Sequence, residues 1–192
     1  MDDLLFIKVG TGIGAGIIAT GRTLRGAQGT AGDLGHIRAD VDADREPPLC
    51  RCGKLGCVEA YAGGWAIIRD LVAAGRSVAT VDDVVTAVHN GDPVATRLVR
   101  EAGRVLGASV ADAVGLLNPA IVVIGGQLSN TGEHLLAGVR ERIYSRSLPL
   151  AMRDLKITAS DLAGDSGVLG LADGLLDRLL TPHALNQALS AF

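Results

Sequence analysis

Three cysteines lie close together in the chain, at Cys50, Cys52 and Cys57, and the chain contains no others. Thiolates are preferred ligands of zinc, which binds four sulfur or nitrogen donors in a tetrahedron. Gly53 and Gly56 lie between the cysteines and allow the backbone to wrap around an ion. This spacing predicts a zinc site, with free buried thiols or a redox disulfide as the alternatives.

A tetrahedral zinc ion needs a fourth ligand, and the chain offers four histidines. His36 is the best candidate because it is nearest to the cysteines and follows Gly35 in a polar segment. His89 lies near a predicted helix end, His134 lies in a predicted helix, and His183 lies in the tail. We expect these three to be ordinary surface or helix-end residues.

A glycine-rich segment, Gly10 to Gly16, follows the first apolar run. It lacks the Gly-Lys-Ser/Thr ending of a Walker A loop. It also runs into a second β-like segment, whereas a dinucleotide fingerprint requires a helix there. Backbone amides and the Thr11 hydroxyl could therefore approach a phosphate group closely, or the segment could be a hairpin that packs against its neighbour.

The elements around these residues change type along the chain. Leu4–Val9 and Ala120–Ile124 are apolar runs followed by glycine, which is typical of buried strands. Asp92-Pro93 predicts the start of a long helix, and Asn118-Pro119 predicts its end. Strands followed by alternating helices and strands predict an α/β fold with a mixed sheet. Further strands are predicted within residues 10–22, at His36–Val41 and at Leu155–Thr158, and further helices around Trp65–Val72, Gly132–Arg146, Gly167–Leu179 and Thr181–Phe192.

Composition narrows the class of protein. The chain has 192 residues, is 48% hydrophobic and has a formal net charge of −3. Its apolar runs are shorter than the roughly 18–20 residues that span a membrane. These features exclude disordered, collagen-like and membrane-spanning classes and give no bias towards binding DNA. Because no signal segment opens the chain, we expect a cytoplasmic protein.

Three motifs together resemble one family. They are Gly10-Thr11-Gly12-Ile13-Gly14-Ala15-Gly16, Ala31-Gly32-Asp33-Leu34-Gly35-His36 and Cys50-x-Cys52-Gly53-x-x-Gly56-Cys57-x-Glu59. Their order and spacing closely resemble the ROK family, which joins bacterial sugar kinases with transcriptional repressors. The resemblance implies that residues 1–192 form the second lobe of an actin-like, RNase H-like ATPase fold. That lobe would have a mixed sheet, flanking helices, a zinc-binding loop over about residues 36–59 and a helical tail over about 167–192.

The resemblance also assigns site residues. It makes His36, Cys50, Cys52 and Cys57 the zinc ligands, and it places His36 and Glu59 at positions that contact sugar hydroxyls in the kinases. Zinc on one ring nitrogen of His36 would leave the other as an N–H donor to a sugar. Glu59 could instead be an acid in the first turn of a helix, stabilised by the helix dipole.

Four further positions match the family's nucleotide motifs. Thr11 and Gly12 match the phosphate motif, and Gly125 and Gly126 match the adenosine-side motif. A simple strand-to-helix turn would explain the last two equally well. ATP with magnesium is therefore an expected cofactor only if the complete protein is a kinase.

Two departures from the family pattern bear on function. Asp33 stands where the family usually has glutamate in its Glu-x-Gly-His motif, so its carboxylate at the expected sugar site is one methylene shorter. The kinases also use a catalytic aspartate in an Asn-Asp motif upstream of the glycine-rich hairpin, and Asp2 and Asp3 lack that context. We therefore expect no catalytic residue in this chain, and we expect the first lobe and any DNA-binding domain to lie outside it.

Three functions remain in competition. The first is the sugar-sensing lobe of a ROK transcriptional repressor, favoured by Asp33 and by the tail from Thr181 to Leu185. The second is the C-terminal lobe of an ATP-dependent hexose or N-acetylhexosamine kinase, of the glucokinase, fructokinase or N-acetylhexosamine kinase type. The third is a zinc-stabilised module that retains neither activity. The expected partners are a small sugar and further copies of the chain, with DNA bound only through another domain.

Overall fold

Five strands form one mixed sheet in a computed structural model that describes residues 2–41, 46–162, 166–181, 186 and 190. The strands are β1 (Leu4–Val9), β2 (Ile13–Ala19), β3 (Arg22–Thr23), β4 (Ile121–Gly125) and β5 (Lys156–Ala159). Their order across the sheet is β3-β2-β1-β4-β5. The β1–β2 and β2–β3 pairs are antiparallel, whereas β1–β4 and β4–β5 are parallel. The predicted mixed sheet is confirmed.

The helices divide between two compact units, residues 1–161 and 162–192. The first unit also contains 3-10 turns at Leu34–His36 and Gln127–Thr131, and the second contains the predicted helix near 167–179. The helix predicted from Thr181 to Phe192, with His183, falls almost entirely outside the described residues. The helices are α1 (Val58–Ala62), α2 (Gly64–Ala73), α3 (Val81–His89), α4 (Pro93–Leu117), α5 (Glu133–Arg146), α6 (Pro149–Met152) and α7 (Ser166–Leu179).

Helix α4 spans 25 residues, and its ends follow the sequence signals. The Asp92 side chain accepts hydrogen bonds from the backbone N–H groups of Val94 and Ala95 at 2.7 and 3.0 Å. Asn118 ends the helix in the left-handed conformation at φ 44°. Arg76 hydrogen-bonds the Asp92 carboxylate and, with the helix amides, holds the pKa of that carboxyl below its usual value. Both predicted helix boundaries are confirmed.

Helices α4 and α5 approach each other closely through glycines. A Cβ atom on Gly107 would lie 2.6 Å from the carbonyl oxygen of Val139, and one on Gly138 would lie 2.9 Å from the backbone nitrogen of Arg104. Real Cβ atoms do not tolerate such distances, so glycine is required where the two backbones meet. The pair packs beside the buried faces of β1 and β4 in a single apolar core.

One predicted strand does not form. Over His36–Val41 the backbone makes only an isolated bridge between Arg38 and Cys57, and a 3-10 turn ends at His36. The Ala39 N–H donates to the carbonyl of Gly56 at 2.8 Å, and the Val58 N–H donates to that of Ile37 at 3.0 Å. The segment therefore pairs with the cysteine loop and not with the sheet.

The parallel pairing of β1 and β4 determines where the site residues lie. Lys8 pairs with Gly125, so both strands end at the same edge of the sheet. The turn Gly10–Gly12 follows β1 there, and Gly125 and Gly126 end β4 beside it. Residues more than a hundred positions apart in sequence thus meet at one edge.

Candidate functional site

His36 and the three cysteines form one cluster. One ligand atom from each lies within 4.8 Å of all the others. The Cys52 and Cys57 sulfurs are 3.6 Å apart, and the Cys50 sulfur is 3.7 Å from Nδ1 of His36. Ligands bound to a tetrahedral zinc at about 2.0–2.3 Å lie roughly 3.5–3.8 Å from one another. The two shortest separations match this spacing, and the predicted ligand set is brought together as a group that could hold a metal ion.

Short local structures hold these donors. His36 ends a 3-10 turn, and Cys57 lies immediately before α1. Between them Cys50 begins a tight turn, because its carbonyl accepts the Gly53 N–H at 2.9 Å and its own N–H donates to Lys54 at 2.8 Å. Gly53 has φ 87°, a conformation that side chains disfavour. A glycine at position 53 is therefore needed for the turn.

The thiols have different electrostatic surroundings. The backbone N–H of Lys54 lowers the pKa of Cys52, which is exposed. Burial raises the pKa of Cys57 to about 12, and the neighbouring thiols Cys50 and Cys52 add to the effect. Crowded sulfurs resist becoming anions together because like charges repel. A bound dication would remove that penalty, since metal-coordinating thiols are deprotonated.

Glu59 lies beside this cluster, two residues after Cys57 and in the first turn of α1. The residue is only 9% exposed, and both of its carboxylate oxygens accept hydrogen bonds. Oε2 accepts the Ile13 N–H at 2.9 Å, and Oε1 accepts the Trp65 indole N–H at 3.2 Å. The helix-dipole interpretation therefore does not account for its contacts, which reach a strand of the sheet. Each oxygen retains a further acceptor position.

Gly12 gives the Glu59 carboxylate its space. A Cβ atom on Gly12 would lie 2.5 Å from Oε2 of Glu59, and one on Gly63 would lie 2.9 Å from its Cγ. The turn after β1 and the junction between α1 and α2 therefore both require glycine, since any side chain would displace the carboxylate. Gly12 thus has a steric role that the sequence motif alone did not reveal.

The other predicted site residues lie nearby or on the same sheet edge. Asp33 is exposed and begins the turn that ends at His36, whose N–H donates to its carbonyl at 3.4 Å. Thr11 is exposed in the turn after β1. A Cβ atom on Gly126, at φ 89°, would lie 2.5 Å from the carbonyl of Val9, so β4 ends directly against β1. A Cβ atom on Gly125 would likewise lie 2.7 Å from Cζ of Phe6.

Trp65 is the contact residue that the sequence analysis missed. Its helical spacing indicated only a core position in a helix, and α2 does contain it. Its ring nevertheless contacts Glu59 and packs against the buried pair Cys50 and Cys57. No spacing signal distinguishes this tryptophan from an ordinary core residue.

Comparison with known proteins decides the family. The ROK family model matches residues 1–177. The chain belongs to the ROK family. This ROK chain is 31% identical over 192 residues to a glucokinase of Thermotoga maritima, covering 93% of the chain and 59% of the enzyme. It is 34% identical over 194 residues to a xylose repressor of Caldicellulosiruptor bescii, covering 94% of the chain and 48% of the repressor.

Solved ROK structures confirm the predicted fold class. A ROK glucokinase from Streptomyces griseus in complex with glucose and AMPPNP superposes with a TM-score of 0.74 at 31% identity. The match covers 90% of this chain and 60% of that one. The ROK chain is thus an α/β lobe of the actin-like ATPase fold, and it spans about half the length of the relatives it matches. Among the described residues, none of the helices combines the length and the hydropathy of a membrane span.

Proposed function

We propose that this chain is the sugar-sensing lobe of a ROK transcriptional repressor and that zinc holds the loop carrying its sugar ligands. The observation that carries the proposal is the buried Glu59 carboxylate, fixed by two hydrogen bonds beside the His36 and cysteine cluster. A buried acid with oriented acceptor positions is suited to bind hydroxyl groups. Repressors and sugar kinases are both among the relatives, so the family itself does not choose between these functions.

Zinc would be bound by His36, Cys50, Cys52 and Cys57. Its role would be structural, because four protein donors complete a tetrahedron and leave no position for a substrate. The contact between Cys50 and Nδ1 indicates that Nδ1 of His36 is the ligand atom. The Nε2–H would then be the free donor, with its tautomer determined by the metal.

A sugar would lie between these groups. The Glu59 carboxylate would accept a hydrogen bond from one hydroxyl, and Nε2 of His36 would donate to another. Asp33 is exposed at the start of the same turn and would supply a second carboxylate. Removing the Asp33 carboxylate should therefore weaken sugar binding less than removing that of Glu59, which is buried.

The lobe of a sugar kinase is the second candidate, and the shared sheet edge favours it. Thr11, Gly12, Gly125 and Gly126 lie where β1 and β4 end together, and close backbone approach there would suit a nucleotide phosphate. Phosphoryl transfer also needs a positioned base and a γ-phosphate cradle. The chain contains no Asn-Asp pair, so those groups would have to come from outside it.

The repressor and kinase hypotheses predict different behaviour of the full-length protein. Sequence-specific DNA binding that glucose, xylose or N-acetylglucosamine relieves would support the repressor. Turnover of ATP with a panel of hexoses would instead support the kinase. Glu59→Gln should reduce the sugar response in either case, whereas Glu133→Gln, an exposed acid on α5, should not. An unchanged response in Glu59→Gln would remove Glu59 from the sugar site.

The zinc site is tested separately. Protein purified without added metal should contain about one equivalent of zinc, because structural sites bind zinc tightly. His36→Ala and Cys52→Ser should each lose it. His89→Ala, at the end of α3, should retain it and is the matched control. Zinc retained by His36→Ala would contradict the ligand set.

A further inference from the structure

Trp65 contacts both the Glu59 carboxylate of the candidate sugar site and the turn after β1. Its indole N–H donates to Oε1 of Glu59 at 3.2 Å, and its backbone N–H donates to the carbonyl of Thr11 at 3.2 Å. One residue thus holds the carboxylate and the turn after β1 together. Because Ile13 donates to the other oxygen of Glu59, the orientation of that carboxylate depends on Trp65 and on β2.

The same ring also contacts the cysteine loop. It packs against the buried cluster of Cys50, Cys57 and Ala60. The guanidinium of Arg51 lies over the ring with its carbon 4.9 Å from the ring centroid. Cations at this distance are attracted to the indole ring. Trp65 therefore lies between the metal cluster and the carboxylate.

Two arginines lie over Trp65, and they are held differently. Arg69, at 5.4 Å from the centroid, is also bound by the Asp70 carboxylate at 2.7 Å and the Ala60 carbonyl at 3.2 Å. Both of those contacts belong to helices. Arg51 lies instead between two proposed zinc ligands, Cys50 and Cys52, so a metal ion would determine its backbone position. Of the two cations over the ring, only Arg51 would therefore depend on a bound metal.

We infer that Trp65 is a positioning residue that couples metal occupancy of the cysteine loop to the orientation of the Glu59 carboxylate. This inference rests on the proposed zinc site. With metal bound, Arg51 and the two buried cysteines hold the indole ring, and its N–H holds Glu59. Without metal, the loop releases Arg51 and the packing on the ring loosens. Glu59 then loses one of its two fixed donors, and the site becomes less ordered for a sugar.

The coupling has a built-in reporter, because Trp65 is the only tryptophan in the chain. Indole emission responds to nearby charge and to solvent. Adding zinc to chelator-treated protein should therefore change the tryptophan emission, with the change complete at about one equivalent of metal. The indole N–H resonance and the Ile13 amide resonance should move at the same metal concentration.

Arg51→Ala tests the cation that links the loop to the ring. We expect this variant to bind zinc, measured with a coloured chelator in competition, while its emission change falls to about half or less of that of the parent chain. Lys54→Ala, which removes another cation from the same loop, should keep the full change. Equal emission changes in the two variants, or no change in the parent chain despite metal uptake, would overturn the coupling.

Trp65→Phe tests the hydrogen bond to Glu59. Phenylalanine keeps a ring for Arg51 but has no N–H, so zinc should still bind while the Ile13 amide resonance no longer responds to it. Tyr61→Phe, a neighbouring aromatic residue on α1, should preserve the response. A persistent Ile13 response in Trp65→Phe would show that the signal bypasses the indole. If metal analysis finds no zinc uptake by the parent chain, the zinc proposal and this inference both fail; uptake without a response overturns only the inference.

Discussion

Two regions of this lobe concentrate charged side chains, and they use them differently. Around the cysteine loop, Glu59 is 9% exposed and each of its oxygens meets a single N–H donor. On the outer face of α4 and α5, Arg104 binds Glu101 and Glu141, and its side chain is 32% exposed. The first region holds one buried acid, which forms no ion pair with any residue that the structure describes. The second consists of complete ion pairs in solvent.

The difference separates side chains that can bind a ligand from side chains that only contribute to the stability of the fold. In an exposed ion pair each charge is neutralised by its partner, and the pair contributes little to the stability of the fold because water and salt screen the attraction. A buried carboxylate whose oxygens each accept a single N–H retains part of its acceptor capacity for a ligand. This contrast predicts large effects from changes at the cysteine loop and small effects from changes on the outer face.

The largest effect is expected from Cys57→Ser. It removes a buried thiolate ligand, and structural zinc in small modules binds with a free energy on the order of 10 kcal/mol. We expect loss of zinc and a strongly lowered urea midpoint. A chelator should destabilise the parent chain but should have no further effect on the variant. Equal chelator sensitivity in both proteins would contradict a structural metal.

A smaller effect is expected where α4 meets α5. Gly107→Val would place a side chain against the Val139 carbonyl, and overpacking of this kind costs about 1–3 kcal/mol. Gly115→Val is the matched control, because a Cβ on Gly115 meets nothing within 4 Å and the helix is the same. Denaturant unfolding of the two variants measures the difference. Equal losses would mean that helix propensity, and not packing, is responsible.

Glu59→Gln should reduce the stability of the fold less than Gly107→Val does, but it should reduce sugar binding strongly. The amide keeps the shape, but only its oxygen can accept, so either Ile13 or Trp65 loses its acceptor, which costs about 1–3 kcal/mol at the most. We expect a loss at the lower end of this range, because only one of the two donors loses its acceptor. Sugar binding measured by calorimetry should fall much further. A variant that loses stability without losing sugar binding would assign Glu59 a purely structural role.

The smallest effect is expected from Glu141→Gln on the outer face. The hydrogen bond from Arg104 lowers the pKa of Glu141, so the pair stabilises the fold above the ordinary glutamate pKa of about 4.3. That contribution should vanish as the pH falls through the lowered pKa of the folded state. The stability difference between the parent chain and the variant should therefore be slight at pH 7 and absent in acid. A stability difference of the same size at pH 7 and in acid would contradict this role of the pair.

The sequence predicted the regular elements well because their signals are local. Helix α4 begins after Asp92 and ends at Asn118 as predicted, since capping residues act within a few residues of the helix end. The apolar runs became the parallel pair β1 and β4. The failed strand at His36–Val41 shows the limit, because its pairing partner is an irregular loop that propensity does not describe.

The sequence could predict the candidate site only at residues whose type and spacing have one common chemical role in proteins. Three cysteines and His36 converge as their chemistry indicated. The hydrogen bond between Trp65 and Glu59 could not be foreseen, because it depends on how α1 meets α2 at Gly63. Gly12 looked like a phosphate-binding glycine, and its clearance around Glu59 emerges only from the distance between a turn and a helix.

The place of β1 in the sheet has a consequence for synthesis. Its antiparallel neighbour β2 starts at Ile13, whereas its parallel neighbour β4 starts at Ile121. Ribosomes deliver the chain from its N-terminus at about 5–20 residues per second. The hairpin can therefore close early, while the other edge of β1 waits several seconds for its partner. During that interval the nascent chain presents an apolar strand edge that can pair with another molecule, so aggregation during synthesis is the hazard that this strand order creates.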